Sequence, residues 1–168
     1  IYEDSFENGN TWYVESDATS GIWELAEPNP TYDNGVLAQP DFDNTLDGEL
    51  CYVTGNNENE NNSGQDDVDG GTTILYSPTF DLVLYDDVLL TYSRWYTNNL
   101  GNNPGTDVWN VQVSSNQGNW VDLELTNQSD PSWTTYRFVM SNYIDFSDDI
   151  QFRFIASDLL NDGDVGSG

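Results

Sequence analysis

The chain has 168 residues, of which 30 are acidic and three are basic, so its formal net charge is -27. A chain of this length can bury a sizeable core, and its aromatic content of 14% is too high for a disordered acidic tail. The charge repels nucleic acid and anionic membrane surfaces, and no apolar segment has the length of a bilayer. We therefore exclude nucleic-acid binding and membrane insertion, and expect a single domain over residues 1–168.

Short strand-like runs occupy the first part of the chain, each bounded by Gly, Asn, Asp or Pro. A stretch rich in Pro, Asn and Asp at 26–48 separates them and is predicted to be irregular. The candidate strands are YEDSFE (2–7), TWYVE (11–15), GIWELA (21–26), LCYVT (50–54) and TTILYS (72–77).

A second irregular stretch, GNNENENNSGQDDVDGG at 55–71, is almost without apolar side chains. Loops of this length in a compact domain are usually functional or disordered, and we place this one at one end of the fold. It crowds three carboxylates together at Asp66, Asp67 and Asp69. Such crowding is unfavourable without a cation, so a metal site, an enzyme site and a hydrated acidic loop all remain open.

The second half of the chain alternates apolar and polar residues with the period of a β-strand. The runs 107–115 and 119–126 are joined by the turn signal SNQG and predict a hairpin. Further runs lie at 87–97, 133–140 and 150–157. About ten short strands and no helical period predict an all-β fold, an antiparallel β-sandwich of jelly-roll type.

The residue types that are missing exclude several kinds of chemistry. The chain has no histidine, no lysine and only one cysteine, Cys51, which we expect to be a buried apolar residue. A Ser-His-Asp triad, a histidine zinc site, a thiolate cage and a Schiff base are all impossible. Calcium binding, sugar contact and a two-carboxylate glycosidase remain, and the loop carbonyls, amides and carboxylates suit calcium. No EF-hand spacing fits, so a calcium site must combine several loops.

Tryptophan and arginine are the other residues that bear on function. Trp120 shares a strand face with Asp122 and Glu124, and is the first candidate for a ligand-binding surface. Trp95 is the second candidate. The arginines fall within strands, where we expect them to pair with acids across the sheet; they are Arg94, Arg137 and Arg153.

Several segments occur in an order that resembles a known family. They include DSFENGNTWYVESDATSGIWELAEP (4–28), LCYVTGN (50–56), DDVDGGTTILYSPTFDL (66–82), LLTYSRWYTNN (89–99), DVWNVQVSSNQGNWVDLE (107–124) and IQFRFIASD (150–158). The chain resembles the MAM-like jelly-roll modules of secreted bacterial peptidases, particularly zinc carboxypeptidases, and more distantly the cleaved-adhesin modules. The resemblance covers nearly the whole chain, and the DVDGG string with the downstream RWY is its most specific part.

This resemblance implies a secreted jelly roll without catalytic activity and often with structural calcium. Asp67 and Asp69 match the family's acidic segment, Glu7 matches the acid of the opening Phe-Glu pair, and Asp107 matches the acid before a central strand. With Asp66 from the same loop, these five residues form the expected calcium ligand set.

The end of the chain departs from the family pattern. Family members usually continue after a GSG-like turn into a further acidic strand, whereas this sequence stops at NDGDVGSG. The last strand is therefore expected either to lie outside this sequence or to come from another molecule, which leaves a sheet edge open to a partner strand.

Together these expectations describe a non-catalytic, calcium-binding extracellular module, either secreted or on the cell surface. It would serve as an accessory or adhesion module that binds a protein or glycan. Two alternatives remain: a carbohydrate-binding module of a secreted enzyme, and a structural subunit that self-associates by donating a β-strand.

Overall fold

The structure, a computed structural model, describes residues 2–9, 11–58 and 64–158, and in those residues the regular structure is β-strand apart from a single 3-10 turn. The predicted all-β class is confirmed, and every strand pairing is antiparallel. The strands are β1 (Tyr13–Ser16), β2 (Glu24–Ala26), β3 (Thr31–Asp33), β4 (Val36–Gln39), β5 (Cys51–Val53), β6 (Gly71–Tyr76), β7 (Leu89–Tyr96), β8 (Val108–Ser115), β9 (Val121–Thr126), β10 (Asp130–Val139) and β11 (Ile150–Asp158), with the 3-10 turn at Met140–Asn142.

One layer of the sandwich is a five-stranded sheet with the order β1-β6-β11-β8-β9. Its centre is β11, which pairs with β6 on one side and with β8 on the other. The predicted hairpin of the second half is confirmed as β8–β9, with a bulge between Val111 and Gln112. The strand residues alternate between the core and the outer face. The exception is β9 at the bulge, where Glu124 enters the core next to buried Leu123, while Leu125 is 60% exposed.

The facing layer is assembled from three smaller pieces. β7 pairs with β10, β2 pairs with β5, and β3 pairs with β4. The layers together form a β-sandwich, and its jelly-roll topology stays a prediction. The strand expected beyond the GSG turn, and residues 59–63 of the acidic loop, lie outside the described residues.

Two predictions about local structure are wrong. The stretch 26–48 is not irregular throughout, because it contains the β3–β4 hairpin. Its turn residues Asn34 and Gly35 have φ of 47° and 82°, and Asn-Gly is the preferred pair for such a turn. The segment 2–7 is not a strand: Asp4 instead accepts hydrogen bonds from the Phe6 amide and the Trp12 indole.

Apolar side chains of both layers fill the space between them. Cys51, as expected, is buried. Trp109 is also in the core, on the apolar face of its strand. The fully packed part of the core consists of Leu75, Trp109, Val111, Val113, Leu123, Met140, Ile150, Phe152 and Phe154.

One ion pair is buried in this core. Arg94 of β7 is 6% exposed, and its Nη2 donates to Glu124 Oε1 of β9 at 2.6 Å. Glu124 also accepts hydrogen bonds from the Trp109 indole and the Tyr92 hydroxyl. The Arg94 guanidinium lies 4.4 Å from the centre of the Tyr136 ring. Arg94 thus pairs with an acid as expected, but Glu124 lies in the other layer, the five-stranded sheet, and not across the same sheet as β7. The Arg153 Nε donates instead to the Gln112 amide oxygen.

Candidate metal centre

Three neighbouring strands bring aspartates to one end of the five-stranded sheet. Asp158 is the last residue of β11, and its register partner is Gly71, the first residue of β6. On the other side Ser157 is paired with Val108, so Asp158 lies beside Asp107. Because antiparallel neighbours begin and end at the same edge, the residues before β6 and β8 meet the end of β11. Asp67 and Asp69 precede β6 and reach the same place.

The loop that carries Asp67 and Asp69 is held by the segment at 17–21. The Thr19 amide and hydroxyl donate to the carbonyl oxygen of Asp69 at 2.8 and 3.0 Å. The Ser20 hydroxyl donates to the carbonyl oxygen of Asp67 at 2.7 Å and lies 3.2 Å from Asp69 Oδ2. These bonds fix the backbone of the loop, so the two carboxylates are positioned rather than free to spread.

Gly21 makes this close approach possible. Its φ is +62°, and a Cβ at this position would lie 2.3 Å from the amide nitrogen of Val68 and 2.5 Å from the carbonyl oxygen of Asp67. Only glycine combines this backbone conformation with so short a distance to a neighbouring peptide. The absence of a side chain at Gly21 therefore allows the acidic loop to lie against the end of the sheet.

Burial and mutual repulsion perturb the aspartates strongly. Burial, followed by the charge of Asp69, raises the pKa of Asp67 to about 7, and Asp158 and Asp66 add to the shift. Burial also raises the pKa of Asp107 to about 7, followed by the charges of Asp158 and Asp67. The carboxylates therefore repel one another, and their charged forms are disfavoured unless a cation or a proton is added.

Several buried oxygens at this place have no hydrogen-bond donor. Asp158 is 0% exposed; its Oδ2 accepts a bond from the Gly70 amide at 3.3 Å, but its Oδ1 has no hydrogen-bond partner among the described residues. The same holds for Oδ1 of Asp67 and Oδ1 of Asp107. A buried carboxylate oxygen without a partner is costly, and such oxygens in native proteins usually bind an ion, a water or a proton.

The donor types here, carboxylate and carbonyl oxygens, are those that a hard divalent cation takes, but the side chains are not placed around one point. Within residues 2–9, 11–58 and 64–158, no group of three or more His, Cys, Asp and Glu side chains is arranged so that it could hold a metal ion. Calcium takes six to eight oxygen ligands from carboxylates, carbonyls and water in flexible geometry. We refer to Asp67, Asp69, Asp107 and Asp158 as the aspartate cluster.

The sequence-predicted ligands divide into two groups. Asp67, Asp69 and Asp107 come together, and exposed Asp66 is close enough for its charge to act on Asp67. Glu7 lies elsewhere: its Oε1 accepts hydrogen bonds from the Glu49 and Leu50 amides at 2.9 and 2.8 Å.

Asp43 is the acidic neighbour of Glu7. Burial, followed by the charges of Asp43 and then Glu7, raises the pKa of Cys51 to about 12. The charges that raise the pKa of Asp67 come from Asp69, Asp158 and Asp66, and those that raise the pKa of Asp107 come from Asp158, Asp67 and Asp69.

Sequence reasoning missed Asp158. The residue ends the alternating run IQFRFIASD, where a carboxylate follows eight strand residues without a turn signal. A charged residue that the strand period places in the core was the available signal.

The two predicted ligand-binding tryptophans have different surroundings. Trp95 is half-buried: its indole donates to the Ala38 carbonyl of β4 at 2.7 Å, and its ring meets the Trp133 ring edge-on with centres 6.5 Å apart. Trp120 lies on the outer face of the five-stranded sheet, with the Arg153 guanidinium 4.1 Å from its ring centre.

The sequence matches no known family model and no curated protein. Among the described residues, no helix is long and apolar enough to cross a membrane.

Proposed function

We propose that this chain is a non-catalytic, calcium-binding extracellular module that mediates binding or assembly. One observation carries the proposal: a fully buried carboxylate, Asp158, has an oxygen without a hydrogen-bond donor among the residues that the structure describes, and it adjoins three other aspartates. Calcium would be held by the aspartate cluster, and it would neutralise charges that the fold otherwise forces together.

The surrounding charges favour an ion rather than a protein cation as the neutralising group. The chain has no lysine or histidine, and buried Arg94 is bound to Glu124. Carboxylates without nitrogen or sulfur donors suit calcium or magnesium better than zinc or copper. Calcium tolerates irregular geometry, and extracellular modules bind it at about 0.1 to 1 mM. The proposed location outside the cell rests on the resemblance to secreted modules.

Direct titration tests this proposal. We expect calcium to bind the wild-type chain in isothermal titration calorimetry and to bind Asp158→Asn at least about tenfold more weakly, because the substitution removes a charged ligand. Asp66→Asn is the matched control, since it makes the same change at an exposed neighbouring position. Equal affinities of Asp158→Asn and Asp66→Asn, or no calcium binding to the wild-type chain, would contradict a site at the aspartate cluster.

A second candidate function, carbohydrate binding, is favoured by the outer face of the five-stranded sheet. One rung crosses all five strands in register: Tyr13, Tyr76, Arg153, Gln112 and Asp122. The rings of Tyr13 and Tyr76 are stacked with centres 4.8 Å apart. Tyr76 is buried at 8% exposure, whereas Tyr13 is 46% exposed. The exposed ring, beside amide, guanidinium and carboxylate groups, offers both the apolar and the hydrogen-bonding contacts that sugars use.

Substitution of Trp120 tests whether the outer face binds carbohydrate. Its ring completes the aromatic row beside Tyr76, with centres 6.0 Å apart. If the face binds glycans, we expect Trp120→Ala to abolish retention on polysaccharide columns, while Trp95→Ala leaves retention intact. Absence of retention by the wild-type chain on all columns would exclude this second function and leave the calcium proposal untouched.

A further inference from the structure

A groove of about 1240 Å³ opens between β5 and β7 in the facing layer. Its lining includes every residue from 50 to 55 and every residue from 87 to 97. Alternate side chains of a strand point to opposite faces, so consecutive residues cannot all line a cavity with their side chains. The groove therefore runs along the edges of both strands.

Within residues 2–9, 11–58 and 64–158, neither of these edges has a strand partner. β5 pairs with β2 and β7 pairs with β10, each on one side, and β5 and β7 do not pair with each other. Edge strands present backbone donors and acceptors that can take up an additional strand. β7 has eight residues, so the edge offers a track of about 26 Å at 3.3 Å per residue.

The floor of the groove is apolar core. Leu75, Trp109, Phe152 and Phe154 of the five-stranded sheet line it, and all four belong to the packed core cluster. These four side chains are only 4–8% exposed. A strand seated here would therefore bury the apolar side chains of its inner face mainly against half-buried Tyr52, Leu90 and Tyr92, which also line the groove, and would leave its outer face in water. The groove thus calls for an extended segment with alternating polarity.

The charge on the rim of the groove determines which charged residues a bound strand can carry on its polar face. Seven acidic residues line the groove against one basic residue, Arg94, which is bound to Glu124. Glu3, Asp81 and Asp87 of this set are exposed. A second copy of this chain, with a net charge of -27 and three arginines, would meet electrostatic repulsion. A segment with Lys or Arg on its outer face would be attracted.

We propose that the groove accepts one β-strand from a different polypeptide, apolar on its inner face and basic on its outer face. The strand pairs with β5 and β7 and joins the pieces of the facing layer into a continuous sheet. This identifies the kind of partner for the binding role proposed above. Asp67 and Asp107 line the groove as well as belonging to the aspartate cluster, so the attraction of a basic outer face comes from the exposed rim acids Glu3, Asp81 and Asp87. The two proposals are measured separately, so one can fail without the other.

Fluorescence anisotropy with a labelled peptide tests the proposal. The probe is a peptide of about ten residues with valine and lysine at alternating positions, sized to the β7 edge. A control peptide has the same side chains but N-methyl groups at alternate amides, and a second control has glutamate for lysine. We expect each control to bind at least about tenfold more weakly, because it loses backbone hydrogen bonds or meets like charge. Equal binding of all three peptides, or no binding of the first, overturns the proposal.

Disulfide trapping locates the peptide. In a Cys51→Ala background, Thr91→Cys places a thiol at the groove, and Thr135→Cys places one on β10 outside it; both threonines are exposed. Peptides with a single cysteine at successive positions should cross-link to position 91 with a period of two, and not to position 135. Cross-linking at position 135 alone overturns the proposal, as does a chain that is dimeric before peptide is added, since a second copy would then fill the groove.

Discussion

Removal of calcium is expected to lower the melting temperature of the wild-type chain by about 5 to 11 °C. An ion present at a hundredfold excess over its dissociation constant stabilises the folded state by about 2.7 kcal/mol, and each kcal/mol shifts melting by about 2 to 4 °C in a chain of this size. The effect is large because calcium would neutralise aspartates that burial and neighbouring charges already disfavour.

Asp67→Asn should stabilise the chain when calcium is absent and destabilise it when calcium is present. In chelator, the variant is expected to melt above the wild-type chain, because one of four crowded charges is gone. In calcium it is expected to melt below the wild-type chain, because a charged ligand is gone. Asp66→Asn is the control, and should change both melting temperatures little, since Asp66 is exposed. Parallel shifts of Asp67→Asn in chelator and in calcium would refute calcium binding at this residue.

Arg94→Met is expected to be the most destabilising single substitution, at about 3 to 5 kcal/mol, which lowers melting by about 6 to 20 °C. Removing the guanidinium leaves Glu124 as a charge in the core with only the Trp109 and Tyr92 donors. The contact with the Tyr136 ring is lost as well. Urea denaturation and thermal melting measure the loss.

Arg137→Met provides the matched control, because Arg137 is exposed on β10. Its effect should stay within about 0.5 kcal/mol, as for most surface substitutions. Similar losses for Arg94→Met and Arg137→Met would show that the buried ion pair contributes little beyond a surface charge.

Much of the fold could be predicted because the alternation of apolar and polar residues in a β-strand can be recognised within one short segment of sequence. The β8–β9 hairpin is an example: its apolar residues alternate, and the SNQG turn separates the runs. The β3–β4 hairpin was missed because its strands have only three and four residues, too few to show a period. The Asn34-Gly35 pair was the better signal there, since it acts through backbone conformation rather than polarity.

The site was predicted in part, for a different reason. Asp67 and Asp69 stand out in the sequence because they are neighbours in an acidic run. Asp158 does not stand out, because it lies near them only through the pairing of β6 with β11. The order of strands in a sheet cannot be predicted from a local sequence pattern. Glu7 shows the converse: it was predicted as a ligand from a resemblance alone, and its hydrogen bonds are to the amides of Glu49 and Leu50 rather than to the aspartate cluster.

The position of the aspartate cluster has a consequence for how the chain reaches its native state. Its members come from the start of β6, the start of β8 and the end of β11, so the cluster is assembled only after distant parts of the chain have paired. Contacts of such long sequence separation form late and slowly. An ion bound there would stabilise the sheet only after it has formed. It would slow unfolding and have little effect on the rate of folding.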